Sequence, residues 1–372
     1  MLKYNKEIKQ KGRKPMCKKV ITAMSGGVDS SVAALLLKDK GYETVGITLK
    51  LYDNEDVGIS REKTCCSIDD INDAQRVCAR LGIPHYVFNF SDDFAKYVID
   101  NFTETYLCGK TPNPCIECNR HIKFRILLER AKQMDFDYIA TGHYCSIERD
   151  GATGRYMLKK ALDDTKDQTY VLYMLTQEQL SHTLFPLGGM TKKQVRELAE
   201  SSGLINARKH DSQDICFVKD GDYRSFIENR TGKHFECGDF CLADGTKVGT
   251  HKGIIGYTTG QRKGLGIAYS EPLYVVSKDV EKNVVTVGRE SELFSSRVKV
   301  KDVSFMPFES LSSPMKISAK LRYKQKESPC TMFPDGENSV ILEFDEPQRA
   351  VTSGQAAVFY DGEYVVGGGT IV

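Results

Sequence analysis

The chain of 372 residues contains no tryptophan, an absence that says nothing about function. The lack of long apolar runs is more informative, because none approaches the roughly 20 residues a helix needs to cross a bilayer. No membrane partner is therefore expected. The stretch up to Lys19 is rich in lysine (Lys3, Lys6, Lys9, Lys11, Lys14, Lys18) and lacks the apolar segment of a secretory signal. Residues 1–18 read as a solvated basic arm, with weak attraction to RNA as the alternative. Excess charge is also missing: the formal net charge is +2, so a nucleic-acid surface must come from local clustering. Internal repeats and low-complexity segments are absent. Twelve cysteines without a signal segment imply a reducing, cytoplasmic setting with buried, metal-bound or catalytic thiols.

What is present first is a phosphate loop. An apolar run, Val20, Ile21, Ala23 and Met24, stops at Ser25-Gly26-Gly27, and a helical pattern begins after Val28, Asp29 and Ser30. Strand, glycine turn and helix let successive N–H groups point into one concavity at the positive end of a helix dipole. The lysine of the Walker A pattern is absent. The bland alternative is a glycine turn with Asp29 and Ser30 as caps. The S-G-G-x-D-S pattern resembles the pyrophosphate loop of the N-type ATP pyrophosphatases, which adenylate a carbonyl oxygen and release pyrophosphate.

The chain exceeds the size at which one core keeps growing. From Lys19 to about residue 220, strand-like runs (45–51, 84–90, 138–142) alternate with helical ones (71–81, 124–134). That alternation predicts an α/β domain with a parallel sheet and helices on both faces. Ligands in such sheets sit beyond the carboxyl ends of the strands, where Ser25, Leu49 and Gly142 fall. Asp222–Arg230 reads as a linking helix. Short β runs follow, including 253–257, 273–277 and 284–288, and from about 300 onward 317–322, 340–344, 357–360 and 364–367. They suggest a small barrel or sandwich. The expected units are 19–220, a central β-rich linking domain at 221–295, and a C-terminal β-barrel at 296–372.

Thr111-Pro-Asn-Pro-Cys-Ile-Glu-Cys-Asn-Arg-His-Ile-Lys-Phe124 is a second strong signal. Its prolines make a stiff loop, so Cys115 and Cys118 are poor candidates for core filling. Asp211-Ser-Gln-Asp-Ile-Cys-Phe-Val218 places Cys216 at a strand-like end near Asp214. With Thr141-Gly-His143, Lys166-Asp-Gln168 and Gly260-Gln-Arg-Lys-Gly-Leu-Gly266, these segments resemble the tRNA-specific 2-thiouridylases of the MnmA type, from about residue 19 to the C-terminus. The resemblance implies an adenine nucleotide alpha hydrolase-like fold and ATP-dependent 2-thiolation of the wobble uridine of tRNA. It makes Cys118 the nucleophile and Cys216 the persulfide carrier, able to join as a disulfide. It assigns Ala23, Met24, Ser25, Gly26, Gly27, Val28, Asp29, Ser30, Leu49 and Gly142 to ATP, with Asp29 assisting Mg²⁺. A cysteine desulfurase or sulfur-relay protein would supply the sulfur.

The chemistry is coherent. Replacing a uridine oxygen by sulfur needs an activated oxygen, hence adenylation, and a soft nucleophile that a persulfide supplies at neutral pH. Cys115 stands where many relatives carry an aspartate. That leaves open a [4Fe–4S] cluster on Cys115, Cys118 and Cys216, or a zinc site completed by His121 or His143. Cys65-Cys66 and Cys237-x-x-x-Cys241 read as buried or free thiols. The resemblance assigns Asn113, Pro114 and Cys115 to the target base and His143, Lys166, Asp167, Gln168, Arg322, Tyr323 and Gln355 to tRNA. Solvated strand faces are the alternative for the basic segments. Two other classes stay open: an amide-forming ligase sharing the loop, and a non-enzymatic RNA-binding module.

Overall fold

The computed structural model describes residues 17–52, 68–210, 215–218 and 221–372. The basic arm up to residue 16, the Cys65–Cys66 pair and Ser212, Gln213 and Asp214 lie outside the described residues. In chain order the first unit contains β1 (Lys19–Ala23), α1 (Val28–Asp39), β2 (Glu43–Lys50), α2 (Ile68–Leu81), β3 (His85–Asn89), β4 (Tyr138–Ala140), a hairpin of β5 (Ser146–Arg149) and β6 (Tyr156–Lys159), and β7 (Thr183–Leu184).

The order β3-β2-β1-β4-β7 makes a parallel five-stranded sheet. Its central strands are apolar because both faces are covered. On one face Val32, Ala33 and Leu35 of α1 pack with Ala74, Val77 and Cys78 of α2 and with Val195 and Ala199 of the helix Lys192–Ser201. On the other lie Phe94, Phe102, Phe124 and Leu127. Each such side chain, fully buried, contributes about 1.5–3 kcal/mol. The sheet is thereby rigid where its carboxyl edge carries the site.

The next unit holds β8 (Gly238–Cys241), β9 (Lys247–His251), β10 (Tyr274–Asp279) and β11 (Val284–Gly288), a four-stranded sheet in the order β10-β11-β8-β9. The last unit contains β12 (Phe294–Phe305), β13 (Met315–Lys320), β14 (Ser328–Pro334), β15 (Ser339–Arg349), β16 (Ala356–Asp361) and β17 (Tyr364–Ile371). Pairing of β12 with both β15 and β17 closes these six strands into an antiparallel barrel around Val300, Leu342, Phe359 and Ile371. The expected α/β, central β-rich and barrel architecture is the one observed.

Three local expectations are corrected. Residues 253–257 are not a strand; Ile254–Gly256 form a 3-10 turn preceded by Gly253 at φ +118. Ile215–Val218 form a turn closed by Val218 N–H on Ile215 C=O at 3.1 Å, not a strand end. Helical structure also begins earlier than 124, as Pro114–Glu117 in α form and then Cys118–Ile126 in π form. Among the described residues, no helix is long and apolar enough to cross a membrane.

Candidate active site

β1 ends in a loop fixed from both sides. Met24 N–H donates to Ile47 C=O of β2 at 2.8 Å. Gly26 then turns at φ +72, where a Cβ would lie 2.5 Å from the Asp70 carbonyl oxygen, so only glycine fits. Gly27 is the N-cap of α1 and no side chain caps the helix. Its first N–H groups stay available for an anion, with the dipole of a 12-residue helix behind them. Ser30 Oγ accepts from Ser25 N–H at 3.2 Å and donates to Gly27 C=O at 3.1 Å. Ser30 thus shapes the loop rather than capping the helix. Gly142, just past β4, lets α1 approach the sheet: a Cβ there would sit 2.7 Å from Ser30 N.

Ala23, Met24, Ser25, Asp29, Ser30, Leu49 and Gly142 line one cavity of about 230 Å³. Gly27 and Val28 face an adjoining cavity of about 640 Å³, together with Lys166, Gln168, Cys216 and Tyr323. Gly26 lines neither; its part is the turn. Ser25, Asp29, Lys123 and Gln168 are walls of both cavities.

Sequence reasoning missed three lysines and a tyrosine here. Lys192 Nζ bridges both Asp29 oxygens at 2.7 and 2.8 Å, and Tyr144 OH donates to Asp29 at 2.7 Å. Lys209 Nζ holds Asp70 at 2.6 Å and Asp73 at 2.8 Å, fastening α2 beneath the loop. Lys123 stands at the junction of the cavities. The signal available for Lys192 was its place directly after Thr191, the N-cap of its helix; nothing local marks the others.

The cysteines are placed differently from one another. Asn113 caps the short turn at Pro114, accepting from Ile116 N–H at 3.4 Å. On that turn Cys115 is exposed, whereas Cys118 is buried in the core. Burial pushes the Cys118 thiol above its ordinary pKa, and the Lys123 ammonium pulls it back. Cys216 faces the larger cavity, and its carbonyl accepts from Tyr52 OH at 2.6 Å. Cys118 packs against the same core as Cys216 but is not a wall of either cavity, and no disulfide joins the two. Among the described residues, no three His, Cys, Asp or Glu side chains group closely enough to hold a metal ion. With Cys115 exposed and Cys118 buried, a [4Fe–4S] cluster on Cys115, Cys118 and Cys216 does not fit this arrangement, nor does a zinc site completed by His121 or His143.

Of the residues assigned to RNA, Lys166, Gln168 and Tyr323 face the larger cavity. Others are occupied inside the protein. His143 is buried against Thr141 Oγ1 at 2.6 Å, and burial holds its imidazole well below the usual value, with Lys123 adding to the effect. Asp167 binds Ala161 N–H and Thr169 Oγ1. Gln168, while facing the cavity, also accepts from Tyr144 N–H at 2.9 Å. Arg322 donates to the Thr259 and Ala350 carbonyls and to Thr352 Oγ1, joining the barrel to the central unit. Gln355 Nε2 donates to the Thr111 and Pro112 carbonyls, and Thr111 N–H donates to Ser353 C=O. These last bonds clip the barrel onto the loop that carries Asn113 and Pro114.

Comparison with known proteins gives the same division. Residues 18–220 match the tRNA methyl transferase HUP domain, 224–289 its PRC-barrel domain and 295–371 the aminomethyltransferase beta-barrel domain. The tRNA-specific 2-thiouridylase MnmA of Clostridioides difficile is 50% identical over 356 residues, covering 96% of this chain and 98% of that one. The protein of that name from Acetivibrio thermocellus is 51% identical over 355 residues, 95% and 99% of the two chains.

Proposed function

The chain belongs to the tRNA-specific 2-thiouridylases of the MnmA type, and from that membership we propose that it uses ATP to convert the wobble uridine of tRNA anticodons to 2-thiouridine. The observation that carries the reading is the pair of cavities sharing Ser25, Asp29, Lys123 and Gln168: one meets the phosphate loop, and the other reaches Cys216. An enzyme that adenylates a base and then delivers sulfur needs both chemistries within reach of one carbonyl carbon.

The adenosine lies against Ala23, Met24, Leu49 and Gly142, and the loop N–H groups of Gly26–Ser30 hold the phosphates. Magnesium arriving with the nucleotide would neutralise phosphate charge, and Asp29 is the carboxylate beside the loop that fits a coordination position, in exchange for Lys192. The uridine O2 attacks the α-phosphorus and pyrophosphate leaves. The terminal sulfur of a Cys216 persulfide then attacks C2, the C2–O bond breaks, and AMP departs with the electron pair. Cys118, as thiolate, attacks the Cys216 Sγ. The S–S bond to the base breaks, 2-thiouridine is released, and a Cys118–Cys216 disulfide remains for a thiol reductant. Cys118 leaves its buried position for this step. A cysteine desulfurase or sulfur-relay protein loads Cys216, and the cytoplasm provides the reducing setting. Asn113, Pro114 and Cys115 border the target base; Lys166, Gln168 and Tyr323 line its approach.

The test is nucleoside mass spectrometry after incubation with unmodified tRNA, ATP, cysteine and a cysteine desulfurase. A 2-thiouridine peak that needs ATP and vanishes in both Cys118→Ser and Cys216→Ser is the expected result. No such peak, or its survival in both variants, overturns the reading; an amide-forming ligase would be indifferent to either serine.

A further inference from the structure

Two lysines at the phosphate loop are neutralised by carboxylates, and a third has no such partner among the described residues. Lys192 is bound to Asp29 and Lys209 to Asp70 and Asp73. Lys123 is half-buried and has no hydrogen-bond or ion-pair partner among the described residues. It lies on the wall common to both cavities, a wall that also includes Ser25 and Asp29, and Cys216 is a further wall of the larger one. A half-buried ammonium loses part of its hydration, a cost that a structure leaves unmatched where an anion is to arrive. The anionic group that must occupy this junction is the α-phosphate of the adenylyl group passing from ATP to the base, since the β- and γ-phosphates take the loop and the base must reach the sulfur.

Resting on the function proposed above, we propose that Lys123 is a catalytic residue whose ammonium contacts the α-phosphoryl group through both chemical steps. In the first, negative charge builds on the phosphorus oxygens as uridine O2 adds and pyrophosphate leaves. In the second, the C2–O bond breaks and the phosphoryl of departing AMP gains a negative charge. A fixed ammonium favours both transition states over their ground states, and no proton changes hands. The π-helical stretch Cys118–Ile126 puts Lys123 on the same element as Cys118. The ammonium also lowers the thiol pKa of Cys118 against the effect of burial, as a cation reaching toward the sulfur side would.

Lys123→Met and Lys123→Arg test this with two separate readouts, tRNA-dependent pyrophosphate release and 2-thiouridine formation. The methionine variant is expected to bind a non-hydrolysable ATP analogue within about tenfold of the parent and to release pyrophosphate about 100-fold more slowly. Arginine should recover at least roughly tenfold of that loss. Pyrophosphate release within about threefold of the parent in Lys123→Met overturns the proposal, whether or not 2-thiouridine is lost. A second measurement needs no variant: acetylation of Lys123 in the unmodified protein, followed by peptide mass spectrometry, should drop at least about fivefold on adding AMP or the ATP analogue. Unchanged labelling also overturns it. If the parent releases no pyrophosphate with tRNA, the function proposed above fails, while the labelling still reports on Lys123.

Discussion

Gly142→Ala is the smallest change that should disable the nucleotide site. The added Cβ would lie 2.7 Å from Ser30 N, 2.8 Å from Asp29 C and 3.1 Å from Asp29 Cβ, against ordinary contacts that begin at 3.4 Å. Two of these atoms are backbone in the first turn of α1, so no rotamer change relieves them. The helix end must withdraw by about 0.7 Å while Met24 remains pinned to β2, and overpacking of this kind costs about 1–3 kcal/mol. For a domain of this size each kcal/mol is about 2–4 °C, giving a fall of roughly 2–12 °C in melting temperature. The loop N–H groups move with the helix, and displacement on this scale should weaken binding of a non-hydrolysable ATP analogue by about ten- to a hundredfold. Calorimetric titration and thermal melting measure both. Gly189→Ala is the control, because a Cβ there meets nothing within 4 Å. If the two variants melt together and bind the analogue within twofold of each other, the close approach of α1 to β4 is not what requires glycine.

Three further outcomes are expected. Lys192→Met strips Asp29 of its cation and leaves only the Tyr144 hydroxyl; because the Asp29 side chain is 31% exposed, the loss should be about 1–2 kcal/mol rather than the larger cost of a fully buried pair. The double variant with Asp29→Asn should be more stable than Lys192→Met alone, and a lower denaturation midpoint would contradict the pairing. Arg322→Ala should destabilise by about 1–3 kcal/mol by orphaning its acceptors, whereas exposed Lys324→Ala should leave stability unchanged and make the salt dependence of tRNA binding shallower by about 0.7–0.9 in log–log slope. An unaltered slope removes Lys324 from the RNA surface. Burial pushes Cys78 to about 11 and Cys145 well above the ordinary thiol value. The unfolded chain releases these protons near roughly pH 8.5 and the native one retains them, so stability is full below that pH. It should fall above it by up to about 1.4 kcal/mol per unit for each thiol. Denaturant titrations from pH 7 to 10 measure the slope, which Cys78→Ala should reduce.

The parallel sheet was legible because β1, β2 and β4 are short apolar runs ending at or beside residues that line the smaller cavity. The phosphate loop was legible because its glycines follow such a run. Residues 253–257 misled for a local reason: the apolar pair Ile254 and Ile255 is buried as a strand would be, but its flanking glycines curl it into a turn. The hairpin of β5 and β6 joins the barrel sheet through Tyr364 and Lys159, a pairing between distant segments that no local pattern announces. Lys123, Lys192 and Lys209 escaped notice because lysines on helices and loops are ordinarily solvated; only the fold shows that two of them are matched to carboxylates and one is not. The partners of Arg322 were hidden for a related reason, since a basic segment on a barrel gives no sign that its guanidinium also donates to the Thr259 and Ala350 carbonyls.

The clip between the barrel and the Thr111–Pro112 backbone changes what a distant grip can do. Because the bonds from Gln355 and Ser353 end on peptide groups, they constrain the path of the chain rather than one rotatable side chain. A pull on the barrel therefore arrives as torque on the segment leading to Cys115 and Cys118. Shortening this chain at its C-terminus would slacken the tether of the segment that carries Cys115 and Cys118.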